Sequence, residues 1–221
     1  MGLAEVTDQS FDAMRRAMVA SQLRTTAVSD PRVIAAMGEV PRERHVPRSR
    51  SALAYVDTAV PLGGGRALNA PMVTGRLLTE AQVAPEDRVL LVGAATGYAA
   101  ALLSLLAGSV VALEEDAALL ATARDAGVPA NVEFVEGPLA EGWPAKAPYD
   151  LIFVDGAIET IPDALIAQLA DDGRLAAAIV ERGVTRLGIG RRAGEGFGFT
   201  PFADAEAVSL PGFAKPPQFV F

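Results

Sequence analysis

The stretch Val89-Leu90-Leu91-Val92-Gly93-Ala94-Ala95-Thr96-Gly97-Tyr98 decides how the rest of this chain is to be folded. A continuous apolar run stops at Gly93, turns through Ala94 to Thr96 and passes Gly97 into a helical pattern, which reads as strand, tight turn, helix. That is the opening unit of a nucleotide-binding sheet, although Gly-x-x-x-Gly lacks the middle glycine of the usual dinucleotide fingerprint and also suits a purely structural turn. Outward from it the alternation is regular. Strands are expected at Val89–Val92, Val110–Leu113, Val132–Val135, Leu151–Val154 and Arg174–Ile179, with helices at Tyr98–Ala107, Ala117–Ala126 and Ile161–Leu169. Nearly continuous apolar strands alternating with helices predict an α/β fold with a doubly wound, mostly parallel sheet covered on both faces. The tail differs: Thr185–Gly190, Phe197–Pro201 and Ala207–Leu210, followed by Gln218-Phe219-Val220-Phe221, predict short antiparallel strands at the sheet edge.

Upstream, Phe11, Met14, Met18, Val19 and Leu23 recur at mostly helical spacing and predict an amphipathic helix. A second helix should begin at Ser29-Asp30-Pro31, a capping residue followed by proline, and end at Val40-Pro41. Arg42 to Arg50 holds four arginines and His45, and reads either as a solvated basic surface with His45 packed on it or as a substrate-binding segment. Tyr55 to Asn69 carries three consecutive glycines, Gly63 to Gly65, suited to a hairpin turn or to close approach of a ligand. A helix follows from Met72 to about Val83. The chain therefore divides into an N-terminal helical extension and loop, residues 1–71, and an α/β domain, residues 72–221.

Composition narrows the partners. A net charge of -8 over 221 residues, with a pI near 4.7, argues against nucleic acid or an anionic membrane surface. There is no cysteine, hence no disulfide, thiolate nucleophile or thiolate metal site, and His45 is the single histidine. The longest apolar run, Ala99–Leu113, is interrupted by Ser104, Gly108 and Ser109 and is too short to span a bilayer. The N-terminus is polar and acidic without a signal-like core. A cytoplasmic location is the expectation.

In doubly wound sheets ligands sit at the carboxyl ends of the strands. That rule selects Gly93 to Tyr98, Glu114-Glu115, Glu136-Gly137-Pro138 and Asp155-Gly156. Glu114, about twenty residues past the glycine turn, stands where a carboxylate accepts both hydroxyls of a ribose. A capping role for Glu115 or Asp116 explains the acids there equally well. A dinucleotide would want the missing glycine for its pyrophosphate; a nucleoside without phosphates would not.

Several separated motifs carry a resemblance. Met18-Val19-x-x-Gln22-Leu23-Arg24, Asp30-x-Arg32-Val33-x-x-Ala36-Met37-x-x-Val40-Pro41-Arg42, Ala54-Tyr55-x-Asp57-x-Ala59-x-Pro61-Leu62-Gly63-x-Gly65 and Gly142-Trp143-Pro144-x-x-Ala147-Pro148-Tyr149-Asp150 occur in order. Together they resemble protein-L-isoaspartate O-methyltransferases from about Met18 to Ile179. The resemblance implies a class I (Rossmann-like) methyltransferase fold, S-adenosylmethionine as cofactor, a substrate loop around residues 55 to 71, and isoaspartyl-containing proteins or peptides as acceptors. It implies Asn69 and Asp57 as candidate catalytic residues. Gly93, Ala94, Ala95, Gly97, Tyr98, Glu114, Glu115, Gly137, Pro138 and Asp155 are the implied cofactor-binding set.

The chain departs from the family pattern at five of the matching positions. Leu91 replaces an acid, Ala95 the middle glycine, Pro138 an aspartate near the adenine, Asn69 a serine and Asp155 a threonine. Two lost hydrogen bonds to a charged partner, at roughly 1.5 to 3 kcal/mol each, correspond to roughly a hundredfold or more in affinity. Three readings follow: a working isoaspartyl methyltransferase, a non-catalytic relative that keeps the fold as a binding module, or a methyltransferase for another small acceptor. An open cleft beside Glu114 favours the first and the third, and one filled by Leu91, Pro138 or neighbouring side chains the second.

Overall fold

The computed structural model describes residues 8–215. Helix α1 (Asp8–Met18) runs into a π-helical turn at Val19–Leu23, so the apolar face read from Phe11 to Leu23 stays continuous while the pitch changes at its end. Helix α2 (Pro31–Glu39) starts as its sequence requires, the Asp30 carboxylate accepting from the Arg32 amide at 2.8 Å. The residue before Pro41 takes an extended backbone and stops it. Two 3-10 turns, Arg42–His45 and Arg48–Leu53, lead to a hairpin of β1 (Val60–Gly63) and β2 (Arg66–Leu68). Gly64 and Gly65 close it at φ +57° and +78°, which a side chain would strain. Helix α3 (Pro71–Ala81) follows.

From there the order is β3 (Arg88–Val92), α4 (Tyr98–Ser104), β4 (Ser109–Glu114), α5 (Ala117–Asp125), β5 (Val132–Glu136), β6 (Tyr149–Ile158), α6 (Asp163–Ile166), β7 (Leu169–Glu181), β8 (Val184–Ala193) and β9 (Gly196–Asp204). They build one sheet in the order β5-β4-β3-β6-β7-β8-β9. The first five are parallel and the last two antiparallel. The chain winds outward from β3 to β5, then returns to β6 on the other side of β3. The crevice between β3 and β6 is therefore the topological switch point, where this fold places ligands.

Both sheet faces are buried, which is why the strands read as unbroken apolar runs. Leu91 points into a core shared with Met18, Leu23, Met37, Leu77 and Leu102, so the N-terminal helices close one face. Leu90 and Val92 point the other way, toward Leu139, Ile152, Leu165 and Phe213.

Two expectations need correction. The helix read over Ile161–Leu169 is one turn, Asp163–Ile166, because Leu169 already pairs with Tyr149 as β7 begins. The Gln168 carboxamide fixes that exit, donating to Ala164 O and Glu141 O and accepting from the Trp143 amide. Secondly, Ala207–Leu210 is not an edge strand. It makes a single parallel bridge, Ser209 to Ala157, at the carboxyl end of central β6. The Gln218–Phe221 tail lies outside the described residues.

Candidate active site

Sheet geometry brings Gly93, Glu114 and Asp155 to the carboxyl ends of β3, β4 and β6. The turn after β3 is held from below, the amides of Gly93 and Ala94 both donating to Leu113 O at 3.0 and 2.9 Å. From the side, His45 Nδ1 meets Thr96 O at 2.7 Å while the Thr96 hydroxyl donates to His45 O at 2.6 Å. A carbonyl only accepts, so His45 carries its proton on Nδ1. Burial holds this imidazole below its ordinary 6.5. The segment read as a solvated basic surface is thus partly interior, with Arg42 fully buried and His45 buried on the edge of Tyr98. Arg42 lies 4.7 Å over the Tyr98 ring and donates to Ala54 O and Asn69 O.

Ala95 stands at φ +47°, so the position that lacks its glycine does require the left-handed conformation. For an L-residue this costs roughly 1–2 kcal/mol, partly offset by the lower entropy of alanine in the unfolded chain. The substitution Ala95→Gly is expected to raise the unfolding free energy by up to about 1 kcal/mol, read by urea denaturation. Gly97, at φ +85°, begins α4 with Ala123 Cβ and the Phe134 ring 3.2 Å from where its own Cβ would be.

Glu114 is fully buried and completely engaged. Arg66, in β2, grips it with two parallel bonds, Nη1 to Oε1 at 2.5 Å and Nη2 to Oε2 at 2.9 Å. The Ala95 amide donates to Oε2, and those of Glu115 and Asp116 to Oε1. Of the neighbouring acids, Asp116 caps α5 while the Glu115 side chain is exposed. Arg66 was not among the residues singled out from sequence, since nothing local to Gly-Gly-Gly-Arg-Ala-Leu points to a partner 48 residues away.

Asn69 is also engaged at both ends of its amide. Nδ2 donates to Asp155 Oδ1 at 2.9 Å, and Oδ1 accepts from the Val208 amide at 2.8 Å. Both ends of the Asn69 amide are thereby occupied in this arrangement. Asp57 is exposed and accepts from the Met72 amide at 3.2 Å, at the start of α3. Asp155 sits at a bulge of β6. Burial pushes its carboxyl above the ordinary 3.8, opposed by the Asn69 bond and by the charges of Arg42 and Arg66. A raised folded pKa contributes stability that is present below the unfolded value and lost as pH rises through the folded one. Asp155→Asn should accordingly melt higher than the parent at pH 7, with the gap closing toward pH 4.

The tail supplies a second residue missed in the sequence. Leu210 lies between Gly93 and Gly156: a methyl on Gly93 would stand 3.0 Å from both Leu210 Cδ atoms, and one on Gly156 would stand 2.5 Å from Leu210 Cγ. Arg66 Nη2 comes within 3.6 Å of the same point at Gly93. The crevice is filled, and by neither Leu91, which is in the helix-side core, nor Pro138, which is exposed. Gly137 is half-buried beside the Trp143 ring. A recess of about 310 Å³ lies instead at the amino end of the sheet, against Arg88, Ser109, Asn131 and Tyr149. No cluster of three or more potential metal ligands occurs among the described residues, and no helix there is long and apolar enough to cross a membrane.

A parallel sheet reversing at β3/β6, an acid ending β4 and antiparallel strands at one edge define the class I methyltransferase fold. The profile of the family described as Protein-L-isoaspartate(D-aspartate) O-methyltransferase matches residues 14–197. A protein-L-isoaspartate O-methyltransferase of Methanoregula boonei is 42% identical over 183 residues, covering 81% of this chain and 84% of its own. One from Methylorubrum populi is 37% identical over 202 residues, covering 90% and 95%. A solved protein-L-isoaspartate O-methyltransferase superposes with a TM-score of 0.77 at 24% identity, covering 90% of this chain and 66% of its own. A Plasmodium falciparum chain crystallised with S-adenosyl-L-homocysteine gives 0.75 at 19%, covering 90% and 97%; these two likenesses speak to the fold. The chain belongs to the protein-L-isoaspartate O-methyltransferase family, enzymes that use S-adenosylmethionine.

The residues as placed do not fit that cofactor. Its ribose hydroxyls need acceptors, and Glu114 Oε1 already receives three donors and Oε2 two, against about two lone pairs each. Its sulfonium is a cation, and the negative charge of Glu114 is already neutralised by Arg66.

Proposed function

We propose that this chain is a protein carboxyl methyltransferase that transfers the methyl group of S-adenosylmethionine to the free carboxylate of isoaspartyl residues in proteins and peptides, in the cytoplasm. The family match over residues 14–197 carries this reading. An ionised carboxylate is its own nucleophile, so the reaction asks the chain for alignment and exclusion of water rather than for a general base. In this reading Asn69 and Asp57 lie on the acceptor side, and Glu114 with the Gly93–Tyr98 turn on the cofactor side. The test is transfer of labelled methyl to an isoaspartyl peptide and to its aspartyl counterpart. Labelling of the first alone supports the reading; labelling of neither overturns it.

A second reading has one observation in its favour. The Arg66–Glu114 pair and Leu210 occupy the crevice as a relative that no longer uses the cofactor would have it. Calorimetric titration with S-adenosyl-L-homocysteine separates the two, since this reading requires the absence of binding at millimolar ligand.

A further inference from the structure

We propose that Arg66 and Leu210 form an internal plug in the cofactor crevice, and that displacing them sets the affinity of the protein for S-adenosylmethionine and its demethylated product. The inference rests on the methyltransferase reading above.

Both plug residues reach the crevice from outside the parallel sheet. Arg66 comes from the β1–β2 hairpin and satisfies Glu114 as a ribose diol would, with two parallel donors. Leu210 comes from the tail and wedges between Gly93 and Gly156, two positions without side chains.

Each is seated so that it can leave. Glu114 keeps the amides of Ala95, Glu115 and Asp116 when Arg66 withdraws, so its charge is not left bare. Arg66 is itself incompletely paired, its buried Nε having no partner among the described residues. At the hairpin tip no described residue comes within 4 Å of a Cβ placed on Gly63 or Gly65, and a Cβ on Gly64 would meet Asp116 Oδ2 at 3.7 Å, an ordinary contact. Ala207–Leu210 is held by three hydrogen bonds rather than a ladder, Val208 N to Asn69 Oδ1, Ala157 N to Val208 O and Leu210 N to Ala157 O, while the tail beyond it is anchored by buried Phe213 and by Lys215 N donating to Glu159 Oε2. Asn69 thereby ties the acceptor side to the plug, because its Oδ1 is freed when Val208 moves. A protein whose competent state is a small fraction of the population binds more weakly by that fraction.

The experiment titrates S-adenosyl-L-homocysteine calorimetrically into the full-length protein, Arg66→Ala and Leu210→Ala, with thermal melts to establish that each is folded. Hydrogen exchange at the Val208 and Leu210 amides of the unsubstituted protein is followed with and without ligand. The expected result is binding at least tenfold tighter in each folded variant, and faster exchange at both amides when the unsubstituted protein is saturated. Equal or weaker binding by the variants, or unchanged exchange on saturation, overturns the plug and leaves the methyltransferase reading standing. Absence of binding by all three folded proteins at millimolar ligand overturns both. The exchange arm decides the matter even where a variant does not fold.

Discussion

Glu114→Ala is expected to lower the unfolding free energy by about 3–5 kcal/mol, as the loss of one member of a buried ion pair does. The reason lies in what remains. Arg66 is left as a guanidinium 6% exposed, and the amides of Ala95, Glu115 and Asp116 lose their acceptor. The reciprocal change Arg66→Ala is milder, about 1–3 kcal/mol, because Glu114 retains those three donors. The asymmetry is the signature: urea denaturation of both single variants should show the glutamate loss costing more. Equal costs would mean that the amides contribute little, and that Arg66 rather than the backbone holds the carboxylate.

The second large effect is expected at Arg42. Its side chain is fully buried, bonds to the carbonyls of Ala54 and Asn69, and packs over Tyr98 at 4.7 Å. Arg42→Ala removes both donors and leaves a cavity against the ring, at a combined cost of about 3–5 kcal/mol. Arg42→Lys keeps the charge but not the planar fork that serves two carbonyls at once, and should fall between the alanine variant and the parent. The Asn69 carbonyl it holds belongs to the residue that also binds Asp155 and Val208, so the variant should loosen the tail segment. Faster hydrogen exchange at Val208 would report that; an unchanged rate would separate Arg42 from the crevice.

The parallel core was legible because each part announces itself locally. The run Val89–Val92 breaking at Gly93 becomes β3 and its turn, and the acid expected at the end of the next strand is Glu114 ending β4. Asp30-Pro31 gives a helix start because the cap acts within three residues. Ala95 could be identified as the place of a missing glycine, and its positive φ follows from the turn itself. Where reading failed, longer-range contacts intervened. Leu169 left its helix to pair with Tyr149, and Ala207–Leu210, with the alternation of a strand, gave up the edge to place Leu210 in the crevice.

The sequence by itself determined the mostly parallel α/β class, the capped start of α2, the family and the identity of the carboxylate that ends β4. All of these depend on periodicity, caps and motifs that neighbouring residues carry. What only the tertiary structure decided is what that carboxylate touches. Arg66 is 48 residues from Glu114, and Leu210 lies more than a hundred residues beyond Gly93. A charge seeking a partner and a leucine seeking burial carry no mark of where each will find it. The fold closed its crevice with two residues whose own segments read as a glycine hairpin and an edge strand.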